Sequence, residues 1–316
     1  MAALGGNALL RRGEAPDADI QHTHVMAAVE ALAPLARDHD LVITHGNGPQ
    51  VGLLALESAQ DPALARPYPF DVLGAETQGM IGYWLLQALE NALPGQPLIS
   101  ILTQTLVAAD DPAFGNPTKF IGPVYDETQA RLLERQWGWD VRRDGQDWRR
   151  VVPSPEPQMV LEIPMIRTLL ADGATVICAG GGGIPVVRGV DGALEGVEAV
   201  VDKDLTAALL GRVLGADALL LLTDVPAVER DFATPTARAI GHITVDALRR
   251  QQFPAGSMGP KVEAACRFVE WTANMAAIGK LEDAVALVAK TKGTIVEASP
   301  SHHRHPVSPG THGANR

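Results

Sequence analysis

Two glycine turns carry the first chemical signal in the chain. Leu4-Gly5-Gly6-Asn7-Ala8 follows a short apolar start, and Thr44-His45-Gly46-Asn47-Gly48-Pro49-Gln50 follows Leu41-Val42-Ile43. Glycine lets a backbone run close to a bound group and bare its N–H donors. If each turn opens a helix, the positive end of that helix faces the same place and favours an anion there. Two such turns side by side would grip one anionic group from two directions. No Gly-x-x-x-x-Gly-Lys-[Ser/Thr] occurs, and Gly46-x-Gly48-x-x-x-Gly52 misses the dinucleotide spacing by one residue. The pattern points to phosphate chemistry outside those two designs.

An anion site in a chain of net charge −11 needs lysines on fixed elements. Three sit at turn-to-element junctions: Lys119 in Asn116-Pro117-Thr118-Lys119, Lys203 in Val200-Val201-Asp202-Lys203-Asp204, and Lys261 after Gly256-Ser257-Met258-Gly259-Pro260. Singly each reads first as an ordinary surface lysine; the shared context favours a site. Asp202 and Asp204 read either as a helix N-cap and a surface carboxylate, or as carboxylates that orient the lysines or lie near a phosphate-bound Mg²⁺. Gly180-Gly181-Gly182-Gly183 follows the strand-like Thr175–Ala179 and is either a tight turn or, at the carboxyl edge of a parallel sheet, a place where a ligand meets the backbone. For His45 a structural hydrogen bond is preferred over a base or metal ligand, since no second His or Cys lies at metal spacing. Ser257 lacks a nucleophile elbow.

These residues need elements to hold them. Apolar runs at Leu41–Thr44, Leu98–Thr103, Thr175–Ala179 and Ala218–Thr223 alternate with helical periodicity at Val25–Arg37, Glu76–Ala92, Lys203–Leu214 and Lys261–Trp271. That alternation predicts an α/β fold, a parallel sheet covered by helices on both faces. Residues 110–157 break the pattern with prolines, glycines and Trp137, Trp139 and Trp148, and read as an excursion from the sheet with its own hairpin. The tryptophans would pack that excursion; nucleic-acid stacking lacks a basic groove. Residues 227–240 read as irregular, and 299–316, with four histidines, as a disordered tail.

Composition bounds the rest. The 316 residues, 46% hydrophobic, suffice for a large core without disulfides or metals. The negative net charge gives no support to nucleic-acid binding. Cys178 and Cys266 read as buried thiols of a reducing compartment rather than a disulfide. No apolar stretch reaches 18 residues, so neither a membrane span nor a signal peptide is expected and the cytoplasm is the default.

In order along the chain, ALGGNA (3–8), THGNGPQVG (44–52), ETQGMIGYWL (76–85), NPTKFIGP (116–123), WRRVVPSPEP (148–157), CAGGGGIPVV (178–187), GVEAVVDKD (196–204) and PAGSMGPKVEAA (254–265) resemble carbamate kinase, of the amino-acid kinase superfamily. The glycine turns are shared across that superfamily, whereas NPTK, VVPSP and the four-glycine run are more specific. The resemblance implies a three-layer sandwich with an open, mostly parallel central sheet and a small protruding subdomain. It would place one domain over 1–298, the subdomain over about 117–152 and a nucleotide-binding half over about 200–298. It further implies a homodimer that moves a phosphoryl group reversibly between ATP and carbamate, often from carbamoyl phosphate and Mg-ADP, with Mg²⁺ held through the nucleotide rather than by a metal site of the protein.

Carried over by motif, the resemblance implies that Gly5, Gly6 and Asn7 meet the phosphoryl group, and that Asn47 and Gly48 hold the carbamate end. Lys203 and Lys261 would clamp phosphates under Asp204, and Lys119 would reach in from the subdomain. Thr223, Asp224, Met258, Lys203 and Lys261 would face the nucleotide. Where other superfamily kinases carry a lysine just before the first glycine turn, this chain has Ala2-Ala3-Leu4, which suits a kinase whose subdomain supplies that charge. The chain departs from the pattern in its short first strand, in lacking an aromatic beside Glu229, and in the tail. Another small-acid or phosphate kinase of the superfamily, a non-catalytic regulatory protein that binds a nucleotide or carbamoyl phosphate, and a dinucleotide oxidoreductase are the competing readings; the last lacks its fingerprint.

Overall fold

The computed structural model describes residues 1–11, 13–253 and 258–299. The expectation for the tail therefore lies outside the described residues from 300 onward, as do the reading of Gly256 and Ser257 and the side chain of Asn7.

Eight strands form the central sheet, in the spatial order His242–Thr244, Thr294–Glu297, Met275–Lys280, Ala218–Thr223, Ala2–Leu4, Val42–His45, Thr175–Ile177, Leu98–Ser100. Neighbours run parallel except Met275–Lys280 against Thr294–Glu297. Successive side chains of a strand point to opposite faces, and the apolar runs use both. Ala2, Leu4, Ile43, Leu220, Leu222 and Ala277 pack under the helices Ala18–Asp38 and Phe70–Ala92. Ala3, Leu219, Leu221, Ala276 and Ile278 pack against Lys203–Leu214 and Met258–Thr272. This double burial is why Ala218–Thr223 reads as an unbroken apolar run rather than an alternating one. The result is the three-layer sandwich with an open, mostly parallel sheet.

Local signals set several boundaries. Lys203–Leu214 begins at the Asp202 N-cap and stops at Gly215 in the left-handed region, φ +74°. The periodicity at Val25–Arg37 and Glu76–Ala92 marks the C-terminal parts of longer helices, Ala18–Asp38 and Phe70–Ala92, and misses their first turns. The run Leu98–Thr103 ends as a strand at Ser100, and Gln104–Leu106 joins a second, four-stranded sheet instead. Segment 227–240 holds a two-stranded ribbon, Glu229–Arg230 with Arg238–Ala239.

The excursion contains an antiparallel sheet of Lys119–Tyr125, Asp147–Val152 and Val141–Asp144, plus the helix Glu127–Trp137. That helix starts with a reciprocal Asp126/Gln129 capping box and ends at left-handed Gly138. Arg131 stacks on Trp148, and Arg150 lies 3.9 Å from the Trp139 ring centre, so cation–π contacts substitute for a larger core. The unit rests on the helix Gly48–Gln60 through bare backbone. A Cβ on Gly52 would overlap the N and Cα of Gly122, itself at φ +67° beside the strand irregularity between Ile121 and Val124. Two glycines thus let a strand lie directly against a helix. Among the described residues, no helix is long and apolar enough to cross a membrane.

Candidate active site

The parallel strands Ala2–Leu4, Val42–His45 and Ala218–Thr223 end at one place, where Gly5, Gly46 and Thr223 leave the sheet. Ligands of open α/β sheets bind at such carboxyl ends. The two glycine turns touch there. Gly5 N donates to Leu222 O at 2.9 Å and Gly46 N to Leu4 O at 2.9 Å, and a Cβ on Gly46 would stand 2.7 Å from Gly6 N. The second turn opens the 13-residue helix Gly48–Gln60, with Pro49 in its first turn. The first opens only the single 3₁₀ turn Gly6–Ala8, so the expected helix dipole is present at one turn and not at the other. Lys203 and Lys261 supply two further helix starts, in Lys203–Leu214 and Met258–Thr272.

A cleft of about 380 Å³ brings the expected residues together. Gly5, Gly6, Asn47, Gly48, Lys119, Lys203, Asp204, Thr223, Asp224, Met258 and Lys261 all line it. Asn7 contributes its backbone to the 3₁₀ turn; its side chain lies outside the described residues. Lys203 Nζ donates to Asp204 Oδ1 at 2.7 Å, and Lys261 Nζ donates to Asp204 Oδ2 at 3.1 Å. Lys203 is buried and Lys261 largely shielded, so one carboxylate fixes two ammonium groups that would otherwise repel. Lys119 Nζ donates to Asp202 Oδ2 at 2.6 Å. The other Asp202 oxygen caps the helix, accepting from Asp204 N at 2.9 Å and Leu205 N at 3.2 Å.

Burial and charge set the titration of these groups. Burial pulls the Lys203 ammonium down to about 8, with Lys261 adding to the fall and Asp204 opposing it. Burial also works against the charged Lys261, but Asp204 outweighs it and the net shift is upward. Burial raises Asp202 and Asp204, yet the neighbouring lysines hold both carboxyls below the usual carboxylate range.

The surroundings hold the turns rigid. Asn47 Nδ2 donates to Thr77 Oγ1 at 2.8 Å, and Thr44 Oγ1 donates to Ala179 O at 2.7 Å. Thr105 and Thr206 hydroxyls both donate to Gly182 O, at 2.7 and 3.0 Å. In the four-glycine run, Cβ atoms on Gly180 and Gly181 would overlap the His45 ring and the Asn47 amide. Gly181 also lines the cleft, so the run serves both packing and approach. His45 is buried beside Lys203, and burial pushes its ring down to about 4. It is neutral, with Nδ1 3.3 Å from Gly46 O, a structural member of the turn. Both cysteines are free and buried, with thiols pushed up to about 12. Among the described residues no three His, Cys, Asp or Glu side chains cluster as a metal cage.

Two contributors escaped the sequence reading. Phe232 and Phe253 line the cleft, as do Val225, Pro226 and Met258. Phe232 stands three positions beyond Glu229, close to where the motif comparison found no aromatic, while Phe253 arrives from a distant loop with no local signal. The Lys119–Asp202 pair spans 83 residues and was equally invisible.

The amino acid kinase family matches residues 2–275. A carbamate kinase of Rhizobium meliloti is 55% identical over 94% of this chain and 92% of its own length, and one of Escherichia coli K12 is 49% identical over 94% and 98%. The chain belongs to the amino acid kinase family, among its carbamate kinases. Solved structures agree. Carbamate kinase from Giardia lamblia bound to citric acid superposes with TM-score 0.89 at 38% identity, covering 94% of this chain and 97% of that one. The same enzyme bound to AMP-PNP superposes with TM-score 0.85. An isopentenyl phosphate kinase of T. acidophilum, at 15% identity and TM-score 0.56, shares the fold alone.

Proposed function

We propose that the protein transfers a phosphoryl group reversibly between ATP and carbamate, and that it makes ATP from carbamoyl phosphate and ADP. The observation that carries this reading is the arrival of Lys119, from the excursion, beside Asp202 at the start of the Lys203 helix. Three lysines from three elements thereby face two glycine turns in one cleft. Lys119, set by Asp202, and Lys203 and Lys261, set by Asp204, bring three ammonium groups to a polyanionic substrate.

Phosphoryl transfer needs alignment and charge neutralisation more than covalent help from the protein. In this reading the backbone donors of Gly5, Gly6 and Asn7 meet the transferring group, and Asn47 and Gly48 hold the carbamate end. Lys203 and Lys261, set by Asp204, neutralise the phosphate oxygens, and Lys119 covers the open side. Losing one preorganised donor of this kind costs about 3–4 kcal/mol in the barrier. Carbamate is a nucleophile as it stands, so the neutral, buried His45 is not needed as a base. Thr223, Asp224 and Met258, with Phe232 and Phe253, would receive the nucleoside. Mg²⁺ would arrive held by the nucleotide and would supply further charge neutralisation beside Lys203 and Lys261.

We also infer a homodimer. The exposed Val72 and Tyr83 lie 11 residues apart on Phe70–Ala92, on one face of that helix. The function is tested by supplying purified protein with Mg-ADP and carbamoyl phosphate. ATP should form well above the spontaneous background, and acetylglutamyl phosphate should give none. Background-level ATP from carbamoyl phosphate would sink the reading.

A further inference from the structure

The two oxygens of Asp202 do two separate jobs. Oδ1 caps the helix Lys203–Leu214 through the N–H groups of Asp204 and Leu205. Oδ2 accepts from Lys119 Nζ at 2.6 Å, with both side chains largely shielded from water. The capping reading explains the first oxygen and leaves the second unexplained.

We propose that Asp202 is a positioning residue, whose carboxylate holds Lys119 in the cleft before substrate arrives. Its effect on turnover rests on the kinase reading above. A lysine is a compact charge on a flexible four-carbon stem, and free it would sample many rotamers. Fixing it in advance removes an ordering cost that the substrate would otherwise bear. The anchor is well chosen, because the capping bonds fix the carboxylate to the first turn of the helix that Lys203 begins. Asp202 thus ties the subdomain lysine to the same rigid element as a second lysine of the site. Lys119 starts the strand that Gly122 seats on Gly52, so the backbone seat and the ion pair act three residues apart. Lys119 and Lys203 keep the Asp202 carboxyl ionised against the effect of burial.

The two jobs separate chemically. Asparagine caps a helix about as well as aspartate, so Asp202→Asn keeps the cap and removes the ion pair. Asp202→Asn should stay folded with a lowered melting temperature, since a carboxyl held below its usual pKa stabilises the fold while ionised. Its kcat/KM for carbamoyl phosphate should fall at least about tenfold while the KM for Mg-ADP changes less than about twofold. In a Lys119→Ala background the same substitution should cost clearly less, because the pair is already gone and only the weaker influence of Asp202 on Lys203 remains. If Asp202→Asn fails to fold, Asp202→Ser, another capping residue, carries the same comparison. Parental turnover in Asp202→Asn, a lower KM for carbamoyl phosphate, or equal losses in both backgrounds would overturn the proposal.

A second arm does not depend on activity. Limited acetylation with acetic anhydride, read by mass spectrometry, should label Lys119 faster in Asp202→Asn than in the parent. Lys290 and Lys292, on the surface elsewhere, serve as references. Unchanged Lys119 labelling overturns the proposal even if the parent makes no ATP, an outcome that by itself counts only against the kinase reading.

Discussion

Lys203 shows how burial tunes a residue for its place. Its ammonium is held to about 8, well under the 10.5 of a free lysine, although Asp204 lies 2.7 Å away. An ammonium loses its charge as pH rises through its pKa, so the phosphate clamp should weaken above about pH 8. The kcat/KM for ADP should therefore show a basic limb near that pH, falling about tenfold per unit beyond it. Lys203→Arg, which stays charged, should lose the limb even if its overall rate is lower. A parental profile flat to pH 10 would show that Lys203 stays charged or is not needed. The types of these residues were legible in the sequence, because three lysines at turn junctions near glycine turns stand out together in an acidic protein. Their partners were not. Asp204 reaching Lys261 and Asp202 reaching Lys119 pair residues 57 and 83 positions apart, although the Lys203–Asp204 contact is between neighbours.

At the scale of elements, the contact between Gly52 and Gly122 decides where the subdomain sits. An alanine at Gly52 must push the Lys119–Tyr125 strand away from the helix Gly48–Gln60, since the atoms it meets are backbone. Overpacking of this kind typically costs about 1–3 kcal/mol of stability. Gly52→Ala should also lower kcat/KM for carbamoyl phosphate at least about tenfold, or about 1.4 kcal/mol, while Mg-ADP affinity measured by calorimetry changes less. Undiminished turnover would show that the seat does not set the reach of Lys119. The helix Lys203–Leu214 was readable end to end, because its cap, its periodicity and its terminal glycine all agree. The ribbon at 229–239 was not, because two-residue strands carry no period.

The whole molecule adds the order of strands and carries the proposed pairing of subunits. Substituting Tyr83→Glu would place a charge on the exposed face of Phe70–Ala92. Sedimentation should find the parent at the mass of two chains and the variant shifted toward one; a parent that sediments as a monomer removes the dimer. By itself the sequence determined the alternation of strands and helices, the two glycine turns and the chemical types around them. These are local properties, written in period, turn chemistry and cap residues. The tertiary structure alone decided that both turns touch, that Phe232 and Phe253 line the cleft, and that Lys119 meets Asp202. Those facts depend on sheet order and on a glycine-to-glycine contact between distant segments, and no local pattern encodes the distance between two elements that meet only after folding.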